Sequence, residues 1–219
     1  MLKIKELLDL SKTIAAPLFE GKTYPWEVLP DIKEFILTLG KTLPEDEFDL
    51  VAENVWVAKD ATVFPSAYLG APCIIDHGAE VRHCAFIRGS AIVGKNAVVG
   101  NSVELKNAIL FDGVQTPHYN YVGDSVLGYK SHMGAGSITS NVKSDKSLVV
   151  VKGSEGEIAT GCKKFGAILG DRVEVGCNSV LNPGTVVGRD TNIYPTSSVR
   201  SVVPEHSIYK DKNDIVPKK

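Results

Sequence analysis

The stretch 73–110 divides into consecutive units of six residues, CIIDHG, AEVRHC, AFIRGS, AIVGKN and AVVGNS, followed by VELKNAIL. The third residue of each unit is apolar, and most units begin with alanine. An α-helix has no period of six, and an alternating strand does not keep one for so long. A fixed six-residue repeat predicts a parallel β-helix, in which each unit forms a short strand and a turn.

The apolar third positions recur through most of the chain, and we expect them to point into the core. Three units close one triangular coil, so residues about eighteen apart lie on top of each other, and coils stack about 4.8 Å apart. The predicted inward anchors are Val51, Val57, Val63, Leu69, Ile75, Val81, Ile87, Val93, Val99, Leu105 and Phe111, then Leu169, Val175, Leu181, Val187, Ile193 and Val199.

The repeat predicts an all-β fold with three additions. Residues 1–48 do not follow the repeat and contain two helical patterns, so we expect a helical cap on the open N-terminal end of the coils. The β-helix is expected over residues 49–203. An insertion at about 142–163 is interpreted as a hairpin arm, turning at Gly153–Gly156 and projecting toward another subunit. Residues 204–219 are expected to form a charged, partly mobile tail.

Composition favours a cytoplasmic protein with small-molecule partners. The 219 residues carry a formal net charge of −2, which gives no basis for nucleic-acid or membrane binding. The sequence contains no run of about 18 apolar residues, so we expect no transmembrane helix. The N-terminus, MLKIKELLDL, lacks the apolar core and cleavage site of a secretory signal. The four cysteines show no C-x-x-C spacing, so we expect reduced thiols and no structural zinc.

Two cations are expected to stack at one corner of the coil. Arg88 follows the anchor Ile87, and Lys106 follows the anchor Leu105. Cations this close repel each other unless an anion lies against them, and arginine suits a bidentate contact with phosphate. The alternative is that both side chains extend into water, as surface cations usually do.

A histidine lies close in sequence to these cations. Residues 112–121 exceed the length of a turn, so we expect an outward loop that carries His118 beside Pro117. A histidine in that position is a candidate general base. The alternative is an ordinary polar residue of the surface.

Residues 86–141 carry a spaced set of polar residues. Arg88 is followed by Val103-Glu-Leu-Lys106, then by His118 and Tyr121-Val-Gly-Asp124, and the set ends in Met133-Gly-Ala-Gly-Ser-Ile-Thr139 and Asn141. In this spacing the chain resembles the acetyltransferase domain of the bifunctional N-acetylglucosamine-1-phosphate uridyltransferase/glucosamine-1-phosphate acetyltransferase. It is also similar to archaeal sugar-1-phosphate nucleotidylyltransferases with amino-sugar acetyltransferase activity. The repeat alone matches every left-handed β-helix, whereas this set is far more specific.

The resemblance implies a left-handed parallel β-helix that forms a homotrimer with sites between subunits. It implies an acetyl-CoA-dependent N-acetyltransferase acting on an amino-sugar phosphate, such as glucosamine-1-phosphate, or on a nucleotide-linked amino sugar. His118 would be the catalytic base that takes a proton from the attacking amine. The implied substrate-binding residues are Arg88, Lys106, Tyr121, His132 and Lys164, and the implied acetyl-CoA-binding residues are Asn141 and Cys177.

Some features depart from the family pattern. His132 replaces a sugar-contacting asparagine, Val142 replaces an aromatic residue, and the insertion at 142–163 is additional. The sequence also lacks the glycine-rich start of a nucleotidyltransferase domain, so we do not expect sugar-nucleotide synthesis. One alternative is therefore a non-catalytic sugar-phosphate or sugar-nucleotide binding module related to UDP-N-acetylglucosamine pyrophosphorylase. Another is a structural trimer whose N-terminal cap binds a partner.

Asp76, His77 and His83 are candidate metal ligands, because trimeric β-helix carbonic anhydrases bind zinc through histidines. The two histidines occupy consecutive units and are expected on different sides of the triangle. We therefore expect no metal.

Overall fold

The computed structural model describes residues 2–153 and 156–219, and they form a left-handed parallel β-helix of about eight coils. The predicted fold class is therefore confirmed. The helices are α1 (Ile4–Leu7) and α2 (Ile32–Gly40), with 3-10 helices at Leu10–Lys12, Ala16–Phe19 and Pro25–Val28. None of the helices in these ranges is long and apolar enough to span a membrane.

The strands are short, as a six-residue unit requires. In chain order they are β1 (Phe48–Ala52), β2 (Val55–Ala58), β3 (Thr62–Val63), β4 (Tyr68–Leu69), β5 (Cys73–Ile75), β6 (Glu80–Val81), β7 (Phe86–Ile87), β8 (Ala91–Val93), β9 (Val98–Asn101), β10 (Glu104–Leu110), β11 (Gln115–His118), β12 (Tyr121–Leu127), β13 (His132–Met133), β14 (Ile138–Thr139), β15 (Val150–Gly153), β16 (Gly156–Ala159), β17 (Ala167–Leu169), β18 (Glu174–Val175), β19 (Val180–Leu181), β20 (Thr185–Val187), β21 (Asn192–Ile193), β22 (Ser198–Val199), β23 (Val202–Val203), β24 (Ser207–Asp211) and β25 (Asp214–Pro217).

Each coil contributes one strand to each of three parallel faces. The first face contains β2, β5, β8, the ends of β10 and β12, β17, β20 and β23. The second contains β3, β6, β9, β11, β13, β18, β21 and β24. The third contains β4, β7, the starts of β10 and β12, β14, β19 and β22. The anchors Ile75, Val81 and Ile87 come from the three faces of one coil and are fully buried, so the core is a single apolar column.

The coils become one residue shorter in the middle of the stack. Leu105 pairs with Ile87, which is eighteen residues earlier, as the repeat predicts. Leu110 pairs with Val93, so the separation in sequence between paired residues is one residue smaller there. The missing residue falls in the turn after Leu105, where β10 continues around the corner without a break. The inward anchor is therefore Leu110.

The predicted anchor Phe111 lies outside the coil. It is buried, but its ring packs edge-on against Phe19 of the N-terminal segment, with ring centroids 5.9 Å apart. The predicted outward loop at residues 112–121 is wrong for the same reason. β11 pairs with β9 and β13 as an ordinary strand of the second face, and Thr116 is buried opposite Val99.

The N-terminal segment, residues 2–47, lies along the first face instead of capping the end of the coils as predicted. α2 contacts β5, β8 and β10, and the 3-10 helix Pro25–Val28 contacts β12. Further along, the Asp171 amide donates a hydrogen bond of 3.0 Å to the Leu7 carbonyl. The outer residues of the first face are apolar and buried, namely Ile74, Ile92, Ile109, Val126, Ile168 and Val186. A strand that is apolar on both surfaces needs a covering layer, and this segment supplies it.

Antiparallel hairpins close the two ends of the β-helix. β1 pairs with β2 at the N-terminal end, which leaves the predicted anchor Val51 outside the core and 55% exposed. At the other end, β24 pairs with β21 and with β25. Tyr209 is buried there, so residues 204–219 form an ordered end of the β-helix and not the predicted mobile tail.

The insertion forms the predicted hairpin, but it packs on its own chain. β15 and β16 pair antiparallel, Val149 and Val151 are fully buried, and β15 contacts β23. The hairpin therefore packs along its own chain and does not project from it as predicted. Ser154 and Glu155 of its predicted turn lie outside the described residues.

Candidate functional site

Several of the candidate residues meet where the third face turns into the first face of the next coil. We call this turn the Lys106 corner; it comprises residues 88–90, 106–107, 123–125 and 140–141 in four successive coils. Arg88 and Lys106 therefore lie in adjacent coils, and Lys106 lies beside Gly123 of the next one.

A buried carboxylate, that of Asp124, organises this corner. Both of its oxygens accept hydrogen bonds of 3.0 Å from the Lys106 ammonium. Oδ1 also accepts one from Nδ2 of Asn107 at 3.0 Å, and Oδ2 accepts one from Nδ2 of Asn141. The Asp124 side chain is 6% exposed and that of Lys106 is 25% exposed. The ion pair is therefore largely withdrawn from water, where loss of either partner is costly.

The shortened turn directs these side chains toward one another. Asn107 and Asp124 follow the paired residues Lys106 and Gly123, and their φ angles are 50° and 48°. Asparagine and aspartate tolerate this left-handed region better than most residues. Gly123 has no room for a side chain, because a Cβ there would collide with the Tyr121 hydroxyl and approach Nδ2 of Asn141 to 2.9 Å.

Arg88 also has a carboxylate partner in its own chain. Its Nη1 donates a 2.8 Å hydrogen bond to Oε1 of Glu104, which raises the pKa of the half-exposed guanidinium. The repulsion between Arg88 and Lys106 is thus offset by Glu104 and Asp124, so the stacked cations do not by themselves require a bound anion. An anion that binds here shares cations that already have acidic partners.

Tyr121 completes the corner as a neutral hydrogen-bonding group. Its hydroxyl accepts a 3.1 Å hydrogen bond from Nδ2 of Asn141. Burial raises the pKa of Tyr121, and the nearby carboxylates of Asp124 and Glu104 raise it further. The phenol therefore keeps its proton and can donate it in a hydrogen bond to a ligand oxygen.

A cavity of about 330 Å³ lies next to Asp124. Its walls come from three separate parts of the chain: Leu29 of the N-terminal segment, the Lys106 corner, and residues 160–164 at the end of the insertion. Lys163 and Lys164 both line it, so the structure brings Lys164 to the same side of the β-helix as Lys106. The excess of cations makes this cavity suitable for an anionic ligand.

His118 lies at a different corner, where the second face turns into the third. We call this the His118 corner; it comprises residues 118–120, 135–136 and 177–178. His118 is exposed, and its carbonyl accepts a 3.0 Å hydrogen bond from the Gly136 amide. Cys177 is exposed two coils further along the same corner. In the part of the chain that the structure describes, no hydrogen bond joins the His118 ring to the Lys106 corner, because the third face separates them.

His132 also lies apart from the Lys106 corner. It stands on the second face, where its Nδ1 is 2.8 Å from Oε2 of Glu174. The histidines considered for a metal are separated as well, since His77 contacts Asp60 and Glu47 while His83 contacts Ser66. Across residues 2–153 and 156–219, no group of three or more histidine, cysteine or acidic residues is arranged to hold a metal.

Three residues of the site were not given a role from the sequence. Asp124 and Glu104 hold the two cations, and Asn107 links Asp124 to the N-terminal segment through a 3.1 Å hydrogen bond to the Leu29 carbonyl. The shortened coil and the Gly123-Asp124 pair were available signals for Asp124. Nothing in the repeat indicates that Leu29 approaches this corner.

Comparison with known proteins finds similar sequences over part of the chain. Residues 69–162 match the family model of the GMPPB C-terminal domain. The bifunctional sugar-1-phosphate nucleotidylyltransferase/acetyltransferase of Sulfurisphaera tokodaii is 34% identical over 108 residues, which are 49% of this chain and 27% of that protein. The bifunctional protein GlmU of Methanococcus maripaludis is 32% identical over 113 residues, 52% of this chain and 27% of that protein.

Among solved structures, the acetyltransferase domain of PglB from Neisseria gonorrhoeae in complex with acetyl coenzyme A matches with a TM-score of 0.35 and 17% identity, over 74% of this chain and 56% of that one. The chain spans about a quarter of the length of the curated bifunctional relatives. Over about half of its own length, this chain is similar to these bifunctional proteins, and it matches only about a quarter of each of them.

Proposed function

We propose that this chain is an acetyl-CoA-dependent N-acetyltransferase whose acceptor is an amino-sugar phosphate or a nucleotide-linked amino sugar. The observation that carries the proposal is a single hydrogen-bonded cluster: Lys106 and Asn141 both donate to the buried carboxylate of Asp124, and Asn141 also donates to the Tyr121 hydroxyl. The resemblance to the acetyltransferases singles out Lys106, Tyr121 and Asn141. They meet although they come from three different coils.

The charges of the Lys106 corner suit the phosphate of such an acceptor. Arg88, Lys106, Lys163 and Lys164 supply cations on this side of the β-helix. Tyr121 supplies a neutral group that hydrogen-bonds to sugar hydroxyls, and Asn141 lies where the thioester of acetyl-CoA is proposed to bind. Charge-assisted hydrogen bonds of this kind orient a phosphate as well as bind it.

In the proposed reaction, His118 acts as general base. Its ring accepts a proton from the acceptor amine as the amine nitrogen forms a bond to the acetyl carbonyl carbon. The carbon–sulfur bond of acetyl-CoA then breaks, and coenzyme A leaves as the thiol after protonation. A neutral imidazole has a ring nitrogen with a free lone pair, which is what a general base needs. Cys177, on the same corner, marks the path proposed for acetyl-CoA.

The proposed site lies between two copies of the chain. The His118 corner and the Lys106 corner lie at opposite edges of the third face, so one copy supplies the base and its neighbour supplies the phosphate cations. The third face is available for this contact, since the rings of Tyr68 and Phe86 pack against each other on its outer surface and are 61% and 43% exposed. The first face is covered by the N-terminal segment. We therefore propose a homotrimer that packs through the second and third faces.

The assembly is tested by light scattering at micromolar concentration. Wild type is expected to be a trimer, whereas Phe86→Asp is expected to dissociate it without unfolding the exposed strand end. The control is Lys130→Asp, which is expected to remain trimeric. Lys130 is exposed at the turn between β12 of the first face and β13 of the second. A monomeric wild type would remove the site between copies.

The activity is tested by release of coenzyme A thiol in a survey of amino-sugar phosphates and nucleotide-linked amino sugars. We expect turnover with at least one acceptor and its loss in Lys106→Ala. The binding-module alternative is favoured by His132. This residue stands where the family has a sugar-contacting asparagine, and its ring contacts Glu174. Binding of an amino-sugar phosphate without turnover of any acceptor would support that alternative and reject the transferase.

A further inference from the structure

A second basic pocket lies between the insertion and the last coils. Its volume is about 550 Å³. The walls come from the loop after β14, from β15, and from the turns that follow β19 and β22. Lys143, Lys152 and Arg200 line it, and Asp145 is the single acidic residue among the described lining residues. No part of the six-residue repeat predicts this pocket, because the insertion forms half of it.

The cations of this pocket are not fully neutralised by their own chain. The Lys143 ammonium lies 3.6 Å from the Asp145 carboxylate, and that of Lys152 lies 2.8 Å from Glu157. Arg200 is exposed and has no ion-pair partner within the described ranges. Three cations beside two acids leave one excess positive charge, carried by Arg200, in a concave surface, which attracts anions.

The other lining residues include polar groups that can bind phosphate. Ser140, Ser144, Ser201 and Asn182 line the same cavity, together with the apolar Val142, Val150 and Pro183. An arginine fork and two lysines beside several hydroxyls provide bidentate and point-charge contacts to phosphate oxygens.

The register of the coils fixes where this pocket lies relative to the proposed active site. Thr139, Leu181 and Val199 pair in successive coils, so Ser140, Asn182 and Arg200 form one row. Ser140 precedes Asn141 of the Lys106 corner. Arg200 lies two coils beyond it, about 10 Å along the axis at a strand spacing of about 4.8 Å. The pocket is thus separate from the Arg88 and Lys106 cations but continuous with their corner.

We propose that this pocket binds phosphate groups, and that they are the phosphates of the acetyl donor. The assignment to the donor rests on the proposed function, in which the thioester lies beside Asn141. The proposal that the pocket binds phosphate does not depend on that function. In this arrangement the insertion holds the charged end of the donor, while the Lys106 corner of the same copy holds the acceptor phosphate.

Pyrophosphate is the probe for the site itself, with affinity measured by calorimetry at low salt. We expect Arg200→Ala and Lys152→Ala each to weaken pyrophosphate binding about tenfold, as loss of a charge-assisted contact does. Lys130→Ala, an exposed lysine on another corner, is the control and is expected to change nothing. Equal affinities in wild type and both pocket variants, with loss of binding only in Lys106→Ala, would overturn the second site.

Coenzyme A is the probe for the source of the phosphates. Arg200→Ala is expected to weaken coenzyme A binding about tenfold and to leave binding of glucosamine-1-phosphate unchanged. Weaker pyrophosphate binding with unchanged coenzyme A binding would keep the site and overturn its assignment to the donor. Both binding measurements can be made without turnover. Absence of transferase activity would therefore reject the proposed function, while the binding measurements would still test the phosphate site.

Discussion

Replacing Asp124 by asparagine tests the carboxylate on which the Lys106 corner is built. Asparagine has the same size and tolerates the left-handed φ of 48°, so the backbone can stay in place. The substitution removes the negative charge and turns an amide group toward the donors of Lys106, Asn107 and Asn141. The Lys106 side chain, which is three-quarters buried, then carries its charge without a counter-charge.

The expected loss follows from that burial. Removing one partner of a buried ion pair costs about 3–5 kcal/mol when the remaining charge cannot reach water. Since a quarter of the Lys106 side chain is exposed, part of this cost is relieved by rotation toward solvent. We therefore expect the free energy of unfolding to fall by about 2–3 kcal/mol in Asp124→Asn.

The matched control is Asp190→Asn. Asp190 is also a corner aspartate with positive φ, and it pairs with Arg172 through hydrogen bonds of 2.6 and 2.8 Å. Arg172 is 49% exposed, so its loss of a partner is expected to cost below about 1 kcal/mol. Urea unfolding of both variants measures the difference. Equal losses in the two variants would refute the view that burial makes Asp124 special.

Three further outcomes are expected. Val93→Asp should abolish folding, because a buried unpaired carboxylate costs several kcal/mol, whereas Lys130→Asp on an exposed corner should keep its thermal midpoint; equal midpoints would show that the phase of the repeat is wrong. His118→Ala should lower kcat at least about 10²-fold and leave binding of an amino-sugar phosphate nearly intact, since a base acts in the transition state; unchanged turnover would exclude it as the base. Burial raises the pKa of Asp76, so the folded state holds this proton more tightly than the unfolded state, and stability at this site should rise as the pH falls toward the ordinary carboxyl pKa of about 3.9. Asp76→Asn should therefore unfold at higher urea than wild type at pH 7 and lose that part of the pH dependence; lower stability at pH 7 would contradict this.

The period of the repeat was enough to predict the β-helix and most of its core. A residue such as Val93 or Val99 has its inward position set by neighbours six residues away on either side. The same count failed at Phe111, because a one-residue deletion in a turn shifts every later anchor without changing the apolar character of the sequence. Phe111 is apolar for a different reason, namely its contact with Phe19.

The positions of the N-terminal segment and the insertion could not be predicted in the same way. The repeat specifies only which residues point inward, and the outward residues of the first face are also apolar. Ile74 and Ile92 indicated a second buried surface, but nothing in the sequence said which segment covers it. For the site, spacing correctly brought Arg88 and Lys106 together, yet it did not reveal that Glu104 and Asp124 already balance their charges.

The path of the N-terminal segment along the first face has a consequence for synthesis of the chain. Residues 2–40 are synthesised before the β-helix, but the surface on which they pack includes Asp171, whose side chain accepts a hydrogen bond from the Asp9 amide. It extends to Gly153, which both Leu2 and Val202 approach. These parts of the surface exist only after nearly the whole chain has been made. Until then the outer apolar row of each new coil stays uncovered, and such surfaces favour aggregation. Nascent chains stalled near residue 140 should therefore be more aggregation-prone than the finished protein.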